Sequence, residues 1–318
     1  MNTVALAIHG GCGVMALEDL SLEEWTEARQ DLQKALQTGW KILKSGGSAL
    51  DASQAAVVVM ENSVHFNAGY GAALNTAGEH ELDASIMSGV DLAAGAVSAA
   101  RKIRNPVLAA RKILDLRESV LLTGDGADAF ARHYGLDMVE NTYFTTPRRV
   151  KALEVMKQHQ LAGTYKTARE SEKHGTVGAV ALDLEGHLAA ATSTGGYTNK
   201  PVGRVGDSSV IGAGTWAKDN VCAVSSTGQG EFFIRYAVGH EISCRIEYAG
   251  QSLEVAADQM LNHILKAHGI GAGLVAIDSK GNVTAPYNTL GMFRGWIHAE
   301  GDGVVATHDE YFAFQAIL

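Results

Sequence analysis

Proline and cysteine are scarce in this chain of 318 residues, and each scarcity narrows its class. Four prolines leave little material for a stiff linker, whereas 36 glycines point to tight turns and close backbone packing. The three cysteines (Cys12, Cys222 and Cys244) are odd in number, scattered and without CxxC spacing, so they suggest neither a disulfide framework nor a zinc cluster. A reducing cytoplasm is the expected compartment. There is no dense Lys/Arg cluster and the net charge is −9, which argues against nucleic acid or an anionic membrane as the main partner. No run reaches the ~18 apolar residues of a membrane helix. The segment Met1–Gly11 lacks a basic region and reads as a buried first strand, not a secretion signal.

What is present is the composition of a globular protein, 46% hydrophobic and 19% charged, with no sign of a second domain or an internal repeat. The first half alternates strand and helix. Ser21 and Glu24 form a capping box for a helix to about Ser45, with Trp25, Ala28, Leu32, Ala35, Leu36 and Leu43 at helical spacing. An Ala-rich helix is expected over Ser48–Asn62, and others near 105–116, 126–134 and 147–157.

The pattern then breaks. The stretch KQHQLAGTYKTARESEKH, 157–174, is polar, mixed in charge and without either period, as expected of a functional or disordered loop. Thr176–Leu184 reads as a strand and Leu188–Ser193 as its hairpin partner across the Glu185-Gly186 turn. Strands are expected around Val210, Val221, Leu274 and Val304, with helices over about 229–247 and 252–267.

A polar seam ending at a threonine that opens a strand has a chemical reading. A threonine hydroxyl is a weak nucleophile unless a base sits beside it, and an N-terminal threonine carries one in its own α-amine, of pKa near 8. That arrangement requires cleavage at Gly175–Thr176. Any single strand threonine is more often structural, so the weight rests on residues downstream of it. Thr194 ends the partner strand and could lie beside Thr176. Arg204 and Asp207 sit three apart in a glycine-rich loop and could hold the carboxylate and ammonium of an amino acid; their commoner fate is a surface ion pair. Ser225-Ser226-Thr227-Gly228-Gln229-Gly230-Glu231 joins a strand to a helix, where a hydroxyl and backbone N–H groups make either an oxyanion site or an ordinary helix cap.

These segments carry a family resemblance. HGTVGAVALD, ATSTGGYTNKPVGRVGDS and SSTGQGEFFIRY, with IHGGCG, HFNAGYGAALN, ELDAS and RNPV upstream, are similar to the motifs of the plant-type asparaginases, or isoaspartyl peptidases, over nearly the whole chain. The resemblance implies an α+β fold, the four-layer αββα sandwich of N-terminal-nucleophile hydrolases. It implies one domain that cleaves itself into an α chain, 1–175, with a flexible linker over about 157–175, and a β chain, 176–318. It further implies Thr176 as nucleophile, assisted by Thr194 and supported by Asn67. Arg204, Asp207 and Gly230 would bind substrate, and Thr227 with Gly228 would form the oxyanion hole. No cofactor is implied for catalysis. Met60–Tyr70 resembles a loop that holds a structural sodium through backbone carbonyls, here those of Met60, Glu61, Ser63, Phe66, Ala68 and Tyr70. The implied partners are a small amide or dipeptide substrate and a second αβ unit, giving a dimer of heterodimers. Gln229 and Cys12 depart from the family pattern, the first at the rim of the site and the second with little expected effect.

Three other enzyme classes leave weaker traces. Gly11–Ala16 and Gly124–Ala129 match the loose GxGxxA pattern of nucleotide-binding oxidoreductases, but the first is followed by its helix too late to present an N-terminus to a pyrophosphate. There is no GxSxG elbow, and His240-Glu241 lacks the second histidine of HExxH because Cys244 stands there. The related glycosylasparaginases carry Asp before the nucleophile together with a secretion signal, and Gly175 disfavours that reading.

Overall fold

The computed structural model describes residues 3–13, 16–17, 20–164, 175–298 and 300–316. Its principal elements begin with β1 (Ala5–Gly11), α1 (Leu22–Lys44), α2 (Ala49–Glu61), β2 (Leu82–Ser88), β3 (Ala94–Ala100), α3 (Pro106–Leu116), β4 (Leu121–Thr123), α4 (Gly124–His133) and α5 (Pro147–Leu161). There follow β5 (Val177–Leu182), β6 (Leu188–Thr194), β7 (Thr215–Lys218) and β8 (Cys222–Gly228), then helical segments over 230–265. The chain closes with β9 (Ala272–Asp278), β10 (Val283–Thr284), β11 (Phe293–Ile297), β12 (Asp302–Ala306) and β13 (Tyr311–Gln315).

Among the described residues these strands make two sheets, ordered β13-β12-β11-β1-β5-β6-β2-β3-β4 and β10-β9-β8-β7. Side-chain alternation explains why they stack. Leu6 and Ile8 of β1 join a core with α1, α2 and α3, while Ala5 and Ala7 point into a second core between the sheets. On β8, Cys222 and Val224 pack against the C-terminal helices, and Ala223 faces the inter-sheet core. Small inward residues (Ala5, Ala7, Ala190, Ala217 and Ala223) let the sheets approach closely. The result is helix, sheet, sheet, helix: the four-layer αββα sandwich.

Local rules account for the elements nearest the site. Ser21 and Glu24 form the capping box of α1, whose Leu32, Leu36, Trp40 and Leu43 are buried, each such side chain contributing roughly 1.5–3 kcal/mol. β5 and β6 pair antiparallel with Val177 opposite Ser193, so the register continues to bring Thr176 opposite Thr194. Several boundaries differ from expectation. α5 runs on to Leu161, so residues 157–161 are helical and not part of a linker; residues 165–174 of that segment lie outside the described residues. The long helix expected over 229–247 is two, Gly230–Tyr236 and Val238–Ala249, broken where Ala237 takes φ +46°. The helix expected over 252–267 is α-helical over Leu253–Asp258 and π-wound over Gln259–Leu265. No strand forms at Val210, which caps a short 3-10 turn.

Candidate active site

The cleft is assembled at the strand ends. Gly175, Thr176, Thr194, Gly196, Tyr197, Arg204, Gly206, Asp207 and Gly228 line one cavity. With Gly175 joined to Thr176 its free volume is about 10 Å³, no more than the room for one water.

Thr176 is 5% exposed, and its hydroxyl donates to the Gly175 carbonyl at 2.6 Å and lies 3.2 Å from Thr194 Oγ1. The Gly175 carbonyl also accepts from the Thr194 hydroxyl at 2.9 Å and from Asn67 Nδ2 at 3.1 Å. The Asn67 amide cannot turn over without loss. Its Oδ1 accepts the Ala73 N–H at 2.6 Å, and its Nδ2 donates to the Gly196 carbonyl at 2.6 Å. Position 175 has no room for a side chain, since a Cβ there would sit 2.8 Å from Asn67 Cβ.

Arg204 and Asp207 stand on the opposite wall. Arg204 pairs with Glu231, Nε and Nη2 reaching Oε1 at 3.0 and 2.9 Å, and its guanidinium lies over the Tyr197 ring at 4.6 Å. Asp207 is 4% exposed, and its Oδ2 has no hydrogen-bond partner among the described residues. Burial pushes its carboxyl up to about 7, against the pull of the Arg204 guanidinium. An orphaned buried carboxylate is costly and suits an incoming cation. Gly230 backs this pair: a Cβ there would come within 2.7 Å of Asp207 Oδ1 and 3.1 Å of Arg204 Nη2. Gly228 enters the cleft through its backbone at φ +147°. Thr227 is fully buried, and its hydroxyl accepts the Cys12 N–H at 3.3 Å.

Several residues emerge here that sequence reasoning left aside. Glu81 and Asp83 accept the N–H groups of Gly203 and Gly206, at 3.1 and 3.2 Å, and so fix the loop that carries Arg204. The buried Lys200 ammonium donates to the Glu81 carbonyl at 2.7 Å, and burial pushes its pKa down. Two carboxylates flanking Leu82 at the start of a fully buried strand were the signal available for these. Gly11 takes φ +109°, and a Cβ on it would meet Thr176 N at 3.1 Å. His9, on the same strand, is fully buried. Its Nδ1 donates to the Thr176 carbonyl at 3.1 Å, because a carbonyl can only accept, and Nε2 then accepts from the Ser225 hydroxyl at 3.0 Å. A file of hydroxyls continues from Ser225 to Thr192 at 2.7 Å, to Thr215 at 2.6 Å and to Ser85 at 2.7 Å. Burial pushes His9 down to about 3, so the ring is neutral. Cys12, expected to matter little, touches the oxyanion candidate: its Sγ lies 3.4 Å from the Thr227 carbonyl.

The loop after α2 curls on itself. The Glu61 carbonyl accepts the Tyr70 N–H at 2.7 Å, and the Val64 and Phe66 carbonyls lie 3.0 and 3.1 Å from a Cβ built on Gly71. The Met60 carbonyl likewise accepts the Ser63 N–H at 3.2 Å, and neutral backbone oxygens of this kind suit a hard cation, not a transition metal. No cluster of three His, Cys, Asp or Glu side chains with ligand spacing occurs among the described residues, and no described helix is long and apolar enough to cross a membrane.

Comparison with known proteins agrees with this geometry. The asparaginase family model matches residues 2–307. The chain is 43% identical over 302 residues to the isoaspartyl peptidase of Escherichia coli (strain K12), covering 94% of each. It is 43% identical over 291 residues to the isoaspartyl peptidase/L-asparaginase of Mus musculus, covering 91% of this chain and 86% of the other. With the probable isoaspartyl peptidase/L-asparaginase 2 of Arabidopsis thaliana the identity is 38% over 322 residues, covering 95% and 98%. The nucleotide-binding reading gains no support. Gly11 packs on Thr176, and Gly124 follows β4, a three-residue strand with Leu121 and Thr123 exposed. The chain belongs to the asparaginase family.

Proposed function

We propose that this protein is an isoaspartyl peptidase and L-asparaginase that releases aspartate after cutting itself at Gly175–Thr176. The observation that carries the reading is the buried Asp207 carboxylate, partnerless at Oδ2 and placed with Arg204 on the wall of the cleft that holds the Thr176 hydroxyl. A ligand with adjacent ammonium and carboxylate groups and a carbonyl one carbon further on fits that pair.

Maturation comes first. Thr176 Oγ attacks the Gly175 carbonyl carbon, whose oxygen is already held by Asn67 Nδ2 and the Thr194 hydroxyl. The peptide C–N bond breaks, the hydroxyl proton ends on Thr176 N, and water hydrolyses the resulting ester. This leaves a Gly175 carboxylate on the α chain, 1–175, and a free Thr176 amine on the β chain, 176–318.

Hydrolysis reuses the same oxygen. The α-amine takes the Thr176 Oγ proton as the oxygen attacks the substrate's β-carbonyl, and passes it to the departing ammonia or amine. The Thr227 hydroxyl and the Gly228 N–H receive the oxyanion, each such donor being commonly worth about 3 kcal/mol. Water then cleaves the β-aspartyl ester. Arg204 and Asp207 hold the α-carboxylate and α-ammonium throughout, with Gly230 keeping the space beside them.

The remaining assignments belong to the same reading. The Met60–Tyr70 loop holds one structural sodium on the carbonyls of Met60, Glu61, Ser63, Phe66, Ala68 and Tyr70, and catalysis itself uses no cofactor. Two αβ units pair, as the resemblance implies. Three cysteines with no disulfide between them favour the cytoplasm. The test is direct: the matured protein is given L-asparagine and a β-aspartyl dipeptide, and aspartate is measured. Release from both is expected, and Thr176→Ala should neither mature nor turn over. Aspartate from neither substrate contradicts the proposal.

A further inference from the structure

We propose that the cavity on the far side of Gly175 is a carboxylate-binding subsite for the leaving amino acid of a β-aspartyl dipeptide, anchored by Arg149; this rests on the hydrolase reading above. Gly11, Gly13, Asn67, Arg148, Arg149 and Gly175 are among the residues that line it. It shares Gly175 with the cleft of Thr176, Arg204 and Asp207. Cutting the Gly175–Thr176 bond replaces a covalent wall between the two spaces with a chain end.

The direction of departure follows from the proton. The Thr176 amine must deliver it to the leaving nitrogen, so that nitrogen leaves beside the amine. Thr176 N faces Gly11, where a Cβ would come within 3.1 Å of it. Gly11 in turn lines the cavity together with Arg149. A leaving group that passes the amine therefore moves toward these guanidiniums and away from Arg204.

The charge is of the right sign and is poorly compensated. Arg149 is 8% exposed and is held at the first turn of α5, where its own N–H donates to the Thr146 side chain. Its Nε donates to the Gly71 carbonyl at 2.5 Å. Burial and the neighbouring Arg148 guanidinium together push Arg149 down to about 9, and the Glu24 carboxylate acts on Arg148 and not on Arg149. A buried cation beside a second cation gains from an incoming anion. Gly11 and Gly13 leave one wall without side chains, while His65, Phe66 and Phe293 bound a free volume of about 30 Å³, room for a carboxylate group.

The two substrates differ in their leaving groups. L-Asparagine loses ammonia, which has no carboxylate. A β-aspartyl dipeptide loses an α-amino acid, whose carboxylate carbon lies two bonds from the departing nitrogen. The subsite thus favours dipeptides, and one charge-assisted hydrogen bond of this kind is worth about tenfold.

The experiment compares kcat/KM of matured enzyme on a β-aspartyl dipeptide, its C-terminal amide, and L-asparagine, for wild type, Arg149→Gln and Arg149→Lys. Wild type is expected to prefer the acid over the amide about tenfold. Arg149→Gln should abolish that preference and lower the dipeptide-to-asparagine ratio to the same degree, with Arg149→Lys restoring part of both. Equal turnover of acid and amide by wild type overturns the proposal without any variant, as does a preference that survives Arg149→Gln. A wild type that turns over none of the three overturns the hydrolase reading, and the subsite with it.

Discussion

Asn67 Nδ2 lies 3.1 Å from the carbonyl oxygen of Gly175 and 2.6 Å from that of Gly196, so one amide ties the Gly175–Thr176 junction to the loop that follows β6. In the proposed self-cleavage, the Gly175 oxygen is where negative charge would develop as Thr176 attacks. Loss of one donor to such an oxygen commonly costs about 10²–10³ in rate. Asn67→Ala should therefore slow self-cleavage about a hundredfold, followed as the disappearance of full-length chain on a gel. Cleavage at the wild-type rate would show that this amide only braces the loop.

Asp207 predicts a pH dependence of affinity. Its carboxyl is pushed up to about 7 by burial, and only the ionised form attracts an α-ammonium. KM for L-asparagine should rise as pH falls below about 7, with kcat changing less. Asp207→Asn should raise KM and remove that dependence. A KM that stays flat from pH 8 to pH 5 would place the ammonium elsewhere.

Four buried groups with the largest shifts bear on the acid stability. His9 and His80 are pushed down by burial, to about 3 and about 4, so their stabilising effect is present above 6.5 and fades as pH falls toward those values. Glu61 and Asp207 are pushed up to about 7, so their effect is present at low pH and fades as pH rises through 7. Between about pH 6.5 and 4.5 the folded chain holds two extra protons on the carboxyls and the unfolded chain two on the histidines. The slopes cancel, and a plateau in Tm is expected there. Below about 4.5 the unfolded carboxyls also protonate while His9 stays neutral in the fold, and stability falls by about 1.4 kcal/mol per unit for each unmatched proton. A Tm that drops steeply between pH 6.5 and 5 would mean the buried histidines lack this compensation.

Gly11→Ala tests the approach of β1 to the nucleophile. The added methyl would stand 3.1 Å from both Thr176 N and Gly175 Cα, on a backbone at φ +109° that L residues rarely adopt. Slower self-cleavage and a lower kcat in any matured fraction are expected, with the melting temperature moving by only a few degrees. Unchanged rates would separate this turn from the chemistry.

Much of this was legible in the chain because the signals were local. The Ser21–Glu24 capping box and the β5–β6 hairpin depend on neighbours a few residues apart, and they form as read. The break at Ala237 was not legible, since neither glycine nor proline marks it. His9 could not be placed because its partners are 167 and 216 residues away. Glu81 and Asp83 escaped for a similar reason: a carboxylate in a strand announces nothing until the loop it holds has folded onto it. The motifs around Thr176, Thr194, Arg204 and Asp207 are contiguous strings, and the fold brings those four side chains to one cavity.

The central claim is that Thr176 becomes an N-terminal residue. Intact mass of the purified protein incubated at neutral pH, with N-terminal sequencing of each fragment, tests it most directly. Two fragments meeting at Gly175–Thr176 are expected, the second beginning Thr-Val-Gly, and none from Thr176→Ala. A chain that stays whole for days, or one cut at another bond, would contradict it.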